Sequence, residues 1–266
     1  MRQLSEGKYL GTSNKSRNAE GVIISETEYG KDIYDDWHFH ENCHLVYVLK
    51  GGSQVYDDRE EFEEVPGQLR LYRSYDRHKN TNTRSPTKVI NVEIPEDFLQ
   101  KYEFNLIDPN SLELKTPESK ITFLKLLNES EKIGENSTTS IHMLLIDLLS
   151  PSYQKIGSRP MWLEKLIELL NDRWNENISL TEMAALTGVH PVTLSKYFPK
   201  YFPYTLREYI QNIRVDKAAT LITSTNYPLT DIAHACAFYD QSHFIRCFTD
   251  KTGFLPNKLR KRSKAN

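Results

Sequence analysis

The chain has 266 residues, of which 38% are hydrophobic and 26% are charged, and this length allows two domains that each bury a core. No apolar run approaches the roughly 18 residues that cross a bilayer, so we expect no membrane segment. The first twenty residues hold no apolar signal core, which predicts a polar, mobile lead-in and a cytoplasmic location. The three cysteines have no CxxC spacing and are expected to be reduced thiols.

The charges are unevenly distributed, although their sum is only −2. Residues 159–266 hold 15 Lys and Arg against 10 Asp and Glu, a balance of +5, while the rest of the chain carries −7. A basic C-terminal part beside an acidic N-terminal part is typical of a chain in which one domain contacts nucleic acid. Solvated surfaces also carry such charges, so the balance alone does not decide the function.

Short runs of β-branched and aromatic residues, separated by turn signals, occupy residues 20–94. The runs are VIISE, HLVYVLK, SQVYD, QLRLY and KVINVEI, with turns at Gly51–Gly52 and Pro66–Gly67. They predict a small antiparallel barrel or sandwich. Residues 121–149 then repeat apolar side chains at helical spacing, which predicts two accessory helices that either complete the core or form a homodimer surface.

A cluster of Pro, Ser and Gly at 151–160 predicts a linker, and it divides the chain into domains of residues 1–155 and 156–266. The second domain contains an internal repeat, because Leu180–Val189 matches Leu229–Phe238 at a distance of 49 positions. Each copy begins with a threonine that we expect to cap a helix, Thr181 and Thr230.

In each copy a turn follows the first helix, at Gly188 and Ala237, and a second helix ends in Phe198 or Phe248. A short helix, a tight turn and a second helix form a helix-turn-helix unit, whose second helix enters the major groove of DNA. Apolar residues at helical spacing in 205–224 predict a long helix, which is expected to hold the two units at a fixed separation. The alternative is a generic helical bundle, but repeat, caps and turns agree in favouring the paired units.

The stretch at 229–260 resembles the signature segment of the AraC/XylS family of transcription regulators. The shared elements are Asp-Gln-Ser-His-Phe at 240–244, Arg-x-Phe at 246–248, Gly253, Pro256 and Arg260. The resemblance covers residues 160–262. It departs from the family at Ala237 and Pro203, where glycine is usual, and at Pro199.

The resemblance implies which side chains face DNA. Glutamine pairs with adenine, arginine with guanine, and threonine or valine contacts the thymine methyl group. The implied base contacts are Val192, Thr193, Ser195 and Lys196 in the first recognition helix and Gln241, Ser242, His243 and Arg246 in the second. Lys251 and Arg260 are expected to meet phosphates. Leu194, Tyr197 and Phe244 fall on the opposite face and are expected in the core.

The spacing of histidines in the N-terminal part resembles the two motifs of the cupin barrel, which many AraC-type regulators carry as a sensor. The matching residues are His38, His40, His44, Gly51, Pro66–Gly67 and His78. Metal-binding cupins commonly have glutamate where this chain has His44. On an extended strand the first three histidines share a face by the period of two, pointing into the barrel.

Three interpretations of this region stay open. A small-molecule effector pocket would be lined by Trp37, His38, His40, His44, Tyr47, Tyr72 and His78. A metal site would use His38, His40, His44 and His78, since neutral imidazoles bind zinc, iron, copper or nickel. In the third, the histidines only make structural hydrogen bonds. No hydrolase, P-loop or zinc-protease motif is present, and a metal-dependent cupin oxygenase is the only enzyme that the residues suggest.

The sequence thus predicts an α+β chain with a cupin-like antiparallel β-barrel and accessory helices, followed by an all-α domain of two helix-turn-helix units joined by a long helix. Such a chain would be a non-enzymatic transcription regulator that binds double-stranded promoter DNA. We expect it to respond to a small-molecule effector, to need no cofactor and to form a homodimer, with RNA polymerase as a candidate partner. The alternative is an effector-independent regulator whose barrel only dimerises or binds protein.

Overall fold

The computed structural model describes residues 1–30, 36–104, 114–150 and 159–264. Its strands are Arg2–Leu4 (β1), Thr12–Ala19 (β2), Val22–Tyr29 (β3), His38–His40 (β4), Cys43–Lys50 (β5), Gln54–Asp57 (β6), Glu61–Glu63 (β7), Leu69–Tyr72 (β8), His78–Thr81 (β9) and Thr87–Ile94 (β10). Its helices are Glu96–Lys101 (α1), Pro117–Glu129 (α2), Glu135–Leu149 (α3), Met161–Asp172 (α4), Leu180–Thr187 (α5), Pro191–Tyr197 (α6), Leu206–Ser224 (α7), Leu229–Ala235 (α8), Gln241–Thr252 (α9) and Pro256–Ser263 (α10).

The strands form two five-stranded sheets, in the orders β1-β4-β9-β6-β7 and β2-β3-β10-β5-β8. All pairings are antiparallel except β1 with β4. Among the residues described, hydrogen bonds do not close the sheets into one barrel, so the N-terminal part is two open sheets rather than the closed barrel that the sequence suggested. The predicted runs correspond to β3, β5, β6, β8 and β10.

The prediction of a mobile lead-in is wrong, because the first twenty residues contain β1 and β2. β2 reads TSNKSRNA and lies at a sheet edge, with its first five residues exposed. An edge strand buries little, so it carries no hydrophobic alternation for sequence analysis to detect. Its backbone nevertheless pairs with β3 from Thr12 to Ala19.

Strand β5 lies between β10 and β8 and is buried on both faces. Leu45 and Tyr47 belong to the core beneath α2, where the rings of Tyr47 and Phe123 stack with centroids 5.1 Å apart. Val46 and Val48 point to the other face and pack with Tyr72 and Val89. This alternation decides which side chains of β5 reach the cavity between the sheets.

Helix α2 lies between the sheets and the C-terminal helices. Its residues pack in one continuous core with α7 and α9, and Lys120 pairs with the buried Asp216 of α7 at 3.0 Å. The turn at Gly67 approaches α7 so closely that a Cβ atom there would lie 2.1 Å from Oγ1 of Thr220. The apolar face of α2 is therefore covered within this chain, and it does not form the dimer surface that the sequence offered.

Helix α10 is held against the sheets by buried charges. Glu26 of β3 forms ion pairs with Lys88 of β10 at 2.7 Å and with Arg262 of α10 at 3.0 Å, and the three side chains are 2–9% exposed. Arg262 also pairs with Glu131 at 2.6 Å. Together with α2, this network joins the second helix-turn-helix unit to the N-terminal part.

The first unit has a core of its own, in which α4, α5 and α6 pack against the beginning of α7 around Leu166, Leu194 and Phe198. The predicted domain boundary at 155/156 and most of the predicted linker fall outside the described residues. Within the described ranges, no helix is long and apolar enough to span a bilayer.

Candidate DNA-binding surface and histidine cavity

The first helix-turn-helix unit consists of α5 and α6. Ser179 caps α5 by accepting a hydrogen bond from the backbone N–H of Glu182 at 3.1 Å, so the predicted cap at Thr181 is wrong. Gly188 ends α5 in the left-handed region with φ of 73°. His190 then caps α6, where its side chain accepts from the backbone of Val192 at 3.3 Å.

The second unit consists of α8 and α9. Pro228 stands at the cap position of α8, and the hydroxyl of the predicted cap, Thr230, instead donates to Gln241 at 2.5 Å. Ala237 makes the turn with φ of 54°, a conformation that costs a residue with Cβ roughly 1 kcal/mol relative to glycine. Asp240 caps α9 by accepting from the backbone of His243 at 2.7 Å.

The implied base-contacting residues lie on the two recognition helices α6 and α9. Val192, Ser195, Lys196, Ser242 and Arg246 are exposed, and Thr193, Gln241 and His243 are half-buried. Leu194 and Phe244 are fully buried on the opposite faces, in agreement with their predicted place in the core. Tyr197 was expected there too but is 39% exposed, with Lys200 4.4 Å above its ring.

Lys251 and Arg260, expected at phosphates, both have partners within the chain. Lys251 donates to Asn212 of α7, whose amide in turn donates to Glu118 of α2 at 2.9 Å. Arg260 donates to the backbone carbonyl of Tyr227 at 2.6 Å. In this conformation both cations serve contacts around α7 and the start of α8.

The histidines predicted to share a face are brought together between the two sheets. His38, His40, His44 and His78 are all buried, and they line a cavity of about 40 Å³. Ring nitrogens of three of them, on β4 and β9, lie within 4.8 Å of one another. His44 of β5 adjoins this group, with its ring centroid 4.3 Å from that of His40.

Backbone carbonyls fix the orientation of two of these rings. Nδ1 of His38 lies 3.1 Å from the carbonyl oxygen of Asp36, and Nδ1 of His78 lies 3.2 Å from that of Asp76. Because a carbonyl only accepts, each Nδ1 carries the proton and each Nε2 keeps a lone pair. This is the arrangement in which metal-binding histidines are held by outer partners, so the residues fit a transition-metal ion.

Further polar side chains in the cavity were not singled out from the sequence. Glu64 is buried and accepts hydrogen bonds from Ser53 and Tyr72, both at 3.0 Å. Burial raises the pKa of the Glu64 carboxyl. Tyr9 and Asn91 also line the cavity. No local motif links these residues to the histidines, so only the folded chain shows that they share the cavity.

Two residues predicted for the effector pocket lie outside it. Tyr47 faces α2, because it is three positions from His44 and the strand alternation turns it to the other side of β5. Trp37 is 37% exposed, with Nζ of Lys79 5.8 Å from its ring centre, and it does not line the cavity.

The free energy of unfolding of the metal-free protein is expected to fall as the pH drops below 6.5. Burial lowers the pKa of His40 and His78, and it lowers that of His44 to about 4. The unfolded chain therefore takes up these protons first, and stability present above pH 6.5 is lost at about 1.4 kcal/mol per pH unit for each histidine.

Urea unfolding at pH 7.5, 6.5 and 5.5, with a chelator present, measures this slope. The His44→Gln variant carries one of the buried rings fewer and should show a shallower dependence. Equal slopes for the two proteins would contradict the assignment of the loss to His44.

Comparison with protein families identifies the paired helices. Residues 183–262 match the family model described as a helix-turn-helix domain. The match includes both recognition helices and α7, and it supports the resemblance to the AraC/XylS regulators.

Named relatives of this helix-turn-helix domain are regulators of transcription. The bifunctional transcriptional activator/DNA repair enzyme AdaA of Bacillus subtilis is 31% identical over 103 residues, 39% of this chain and 49% of AdaA. The transcriptional activator RhaS of Enterobacter sp. is 25% identical over 132 residues, 50% of this chain and 48% of RhaS. The chain thus spans about half the length of these two relatives.

A longer alignment joins the chain to RhaS of Escherichia coli, which is 22% identical over 240 residues, 83% of this chain and 86% of RhaS. Among solved structures, a transcriptional regulator from Chromobacterium violaceum with an AraC-type DNA-binding domain covers 38% of this chain and 91% of its own length. Its identity is 22% and its TM-score 0.37.

Proposed function

We propose that the protein is a transcription regulator that binds double-stranded promoter DNA through both helix-turn-helix units. The observation that carries this proposal is the pair of recognition helices, α6 and α9, which each expose polar side chains and bury an apolar face. Two such helices joined by α7 can enter successive major-groove segments without a second copy of the chain. The names of the relatives agree with this function.

Base recognition is assigned to the eight exposed or half-buried side chains of the recognition helices named above. Lys251 and Arg260 would reach phosphates only by exchanging their present partners, so their contribution is expected to be smaller. The domains 1–155 and 156–266 remain the proposed division of roles between sensing and DNA binding. A homodimer would double the operator contacts, and the outer face of α3, where Met143 is 62% exposed, is the surface left for it.

Arg246→Ala is expected to weaken binding to the cognate site by about 1–3 kcal/mol, because a bidentate arginine–guanine contact contributes that much to discrimination. The measurement is fluorescence anisotropy with a DNA duplex that the wild-type protein selects from a random pool. Lys125→Ala removes one exposed cation from α2 and serves as the control for net charge. A loss that is the same for selected and random DNA would make Arg246 a phosphate contact instead.

We further propose that the histidine cavity is the effector site and that its occupant is a transition-metal ion. Sites for small organic molecules have volumes of roughly 300–1,000 Å³, whereas this cavity measures about 40 Å³, which is room for an ion or a water molecule. Three ring nitrogens within 4.8 Å of one another are the donor set that zinc, iron, copper or nickel accepts. We propose as well that the two N-terminal sheets form a cupin-like sensor around this ion.

Strand β10 contacts both the cavity and, through an ion-pair network, the C-terminal helix α10. Asn91 of β10 lines the cavity, and Lys88 of the same strand holds Glu26, which pairs with Arg262 of α10. An ion that shifts β10 would therefore act on α10 directly. To regulate DNA binding, the ion must favour one arrangement of α10 over another.

A further inference from the structure

The two helix-turn-helix units belong to different cores and leave a cleft between them. Leu194 and Phe198 of the first unit pack with α4 and the beginning of α7. Phe244 and Phe248 of the second unit pack in the core shared with α2 and the sheets. The cleft where these two bodies meet encloses about 550 Å³, within the range of small-molecule sites.

The walls of this cleft are largely apolar. Trp174 and Ile178, on the chain between α4 and α5, face Ile210 of α7 and Phe238 of the second unit. Burial of apolar surface is the main source of affinity for a small molecule, and walls of this kind supply it.

A half-buried cation that has no carboxylate partner among the described residues lines the cleft. The guanidinium of Arg214 donates to the backbone carbonyls of Trp174, Glu176 and Ala237 and to the side chain of Asn177, at 2.9–3.4 Å. All four acceptors are neutral, and burial lowers the pKa of this arginine. A charge removed from water without a counterion favours the binding of an anion beside it.

The other charges along the cleft add to this effect. Arg207 is exposed at the rim and makes no ion pair within the described part of the chain. Glu176 lines the cleft, but its carboxylate is already held by Arg173 at 2.5 Å. The site as a whole is therefore apolar and positively charged.

We propose that this cleft binds a small apolar molecule that carries one anionic group. Its apolar body would lie against Trp174 and Ile210, and its anionic group would lie near Arg207 and Arg214. Ser195 of α6 and His243 of α9 also line the cleft, so a bound molecule sets the separation of the two recognition helices. Binding is measurable without DNA and without metal, so this proposal stands or falls separately from the proposed function.

Titration of the full-length protein with decanoate, a ten-carbon carboxylate, tests the proposal. We expect a saturable heat of binding and a change in tryptophan fluorescence, and the fluorescence change should disappear in Trp174→Phe while the heat remains. Arg207→Ala should weaken decanoate binding about tenfold, the effect of one charge-assisted contact. Lys165→Ala, which removes an exposed cation of α4 outside the cleft, should leave it unchanged.

A neutral ligand, 1-decanol, and a variant that places a carboxylate in the cleft complete the test. Decanol should bind wild type and Arg207→Ala equally, and Ile210→Glu, once shown by circular dichroism to be folded, should not bind decanoate. Absence of any heat at decanoate concentrations on the order of 1 mM overturns the proposal. Undiminished binding in Ile210→Glu, or equal decanoate affinity in wild type and Arg207→Ala, overturns it as well, because the molecule would then lie elsewhere or need no cation.

Discussion

Replacing Glu26 by alanine is expected to lower the free energy of unfolding by about 3–5 kcal/mol, which is the cost of breaking a buried ion pair from one side. Glu26 is 2% exposed and is the carboxylate between two cations, Lys88 at 2.7 Å and Arg262 at 3.0 Å. Without it the one partner left to Lys88 among the described residues is the backbone carbonyl of Lys264, at 3.0 Å. Most of this cost comes from leaving buried cations without a counterion, and less of it comes from the loss of the attraction itself.

Urea unfolding followed by circular dichroism measures this effect, and an exposed ion pair provides the control. Lys132 pairs with Glu129 at 2.6 Å and is 58% exposed, so Lys132→Ala should change stability by less than about 1 kcal/mol. A similarly small change in Glu26→Ala would mean that water reaches the network. The same variant should also free α10 from the sheets, which hydrogen exchange of the α10 amides reports.

How much the sequence predicts differs between the two halves of the chain. The paired units are specified locally, since the repeat at 180 and 229, the left-handed turn at Gly188 and the aromatic ends at Phe198 and Phe248 each occupy a short stretch. Comparison with known families confirms the helix-turn-helix domain over residues 183–262. Both caps were misplaced by two residues, because Ser179 and Pro228 precede the threonines that the repeat made conspicuous.

The cavity depends on contacts between distant strands, and there local pattern gives only part of the answer. Alternation correctly groups His38 and His40, and once His44 and Tyr47 are placed on the same strand, their spacing of three positions puts Tyr47 on the other face. Glu64 follows β7 and its backbone N–H donates to the carbonyl of Ser53, while the pairing of β8 with β5 sets Tyr72, its other partner, opposite His44. The size of the cavity decides whether an ion or an organic molecule fits, and this size follows from packing alone.

The joining of the second unit to the N-terminal part was also invisible in the sequence. Charged residues are expected at the surface, yet three of them lie where the C-terminal helices pack against the N-terminal part: Lys120, Asp216 and Arg262. Charged residues are buried only when they are paired, and their partners lie far apart in the chain. The first unit thus has a core of its own, whereas the second unit shares a core with α2 and the sheets.

Zinc is expected to bind the chelator-treated protein with one ion per chain, and His78→Ala should weaken this binding by at least about 100-fold, since a three-nitrogen site that loses one ligand cannot hold the ion at comparable affinity. Titration against a chromophoric zinc indicator gives the affinities, and elemental analysis gives the stoichiometry. Cobalt(II) substituted for zinc should show visible absorption typical of a four-coordinate ion, and this absorption should be lost in His40→Ala.

The exposed His234 of α8 offers the matched control, because His234→Ala removes an imidazole that does not line the cavity. If this variant and His78→Ala bind zinc equally, the ion lies outside the cavity. Failure of the wild-type protein to bind zinc, cobalt, nickel or copper would instead leave the buried rings with their hydrogen bonds to Asp36 and Asp76 as structural groups. Neither result bears on Arg246, since the recognition helices are more than 100 residues away along the chain and meet DNA through their own exposed faces.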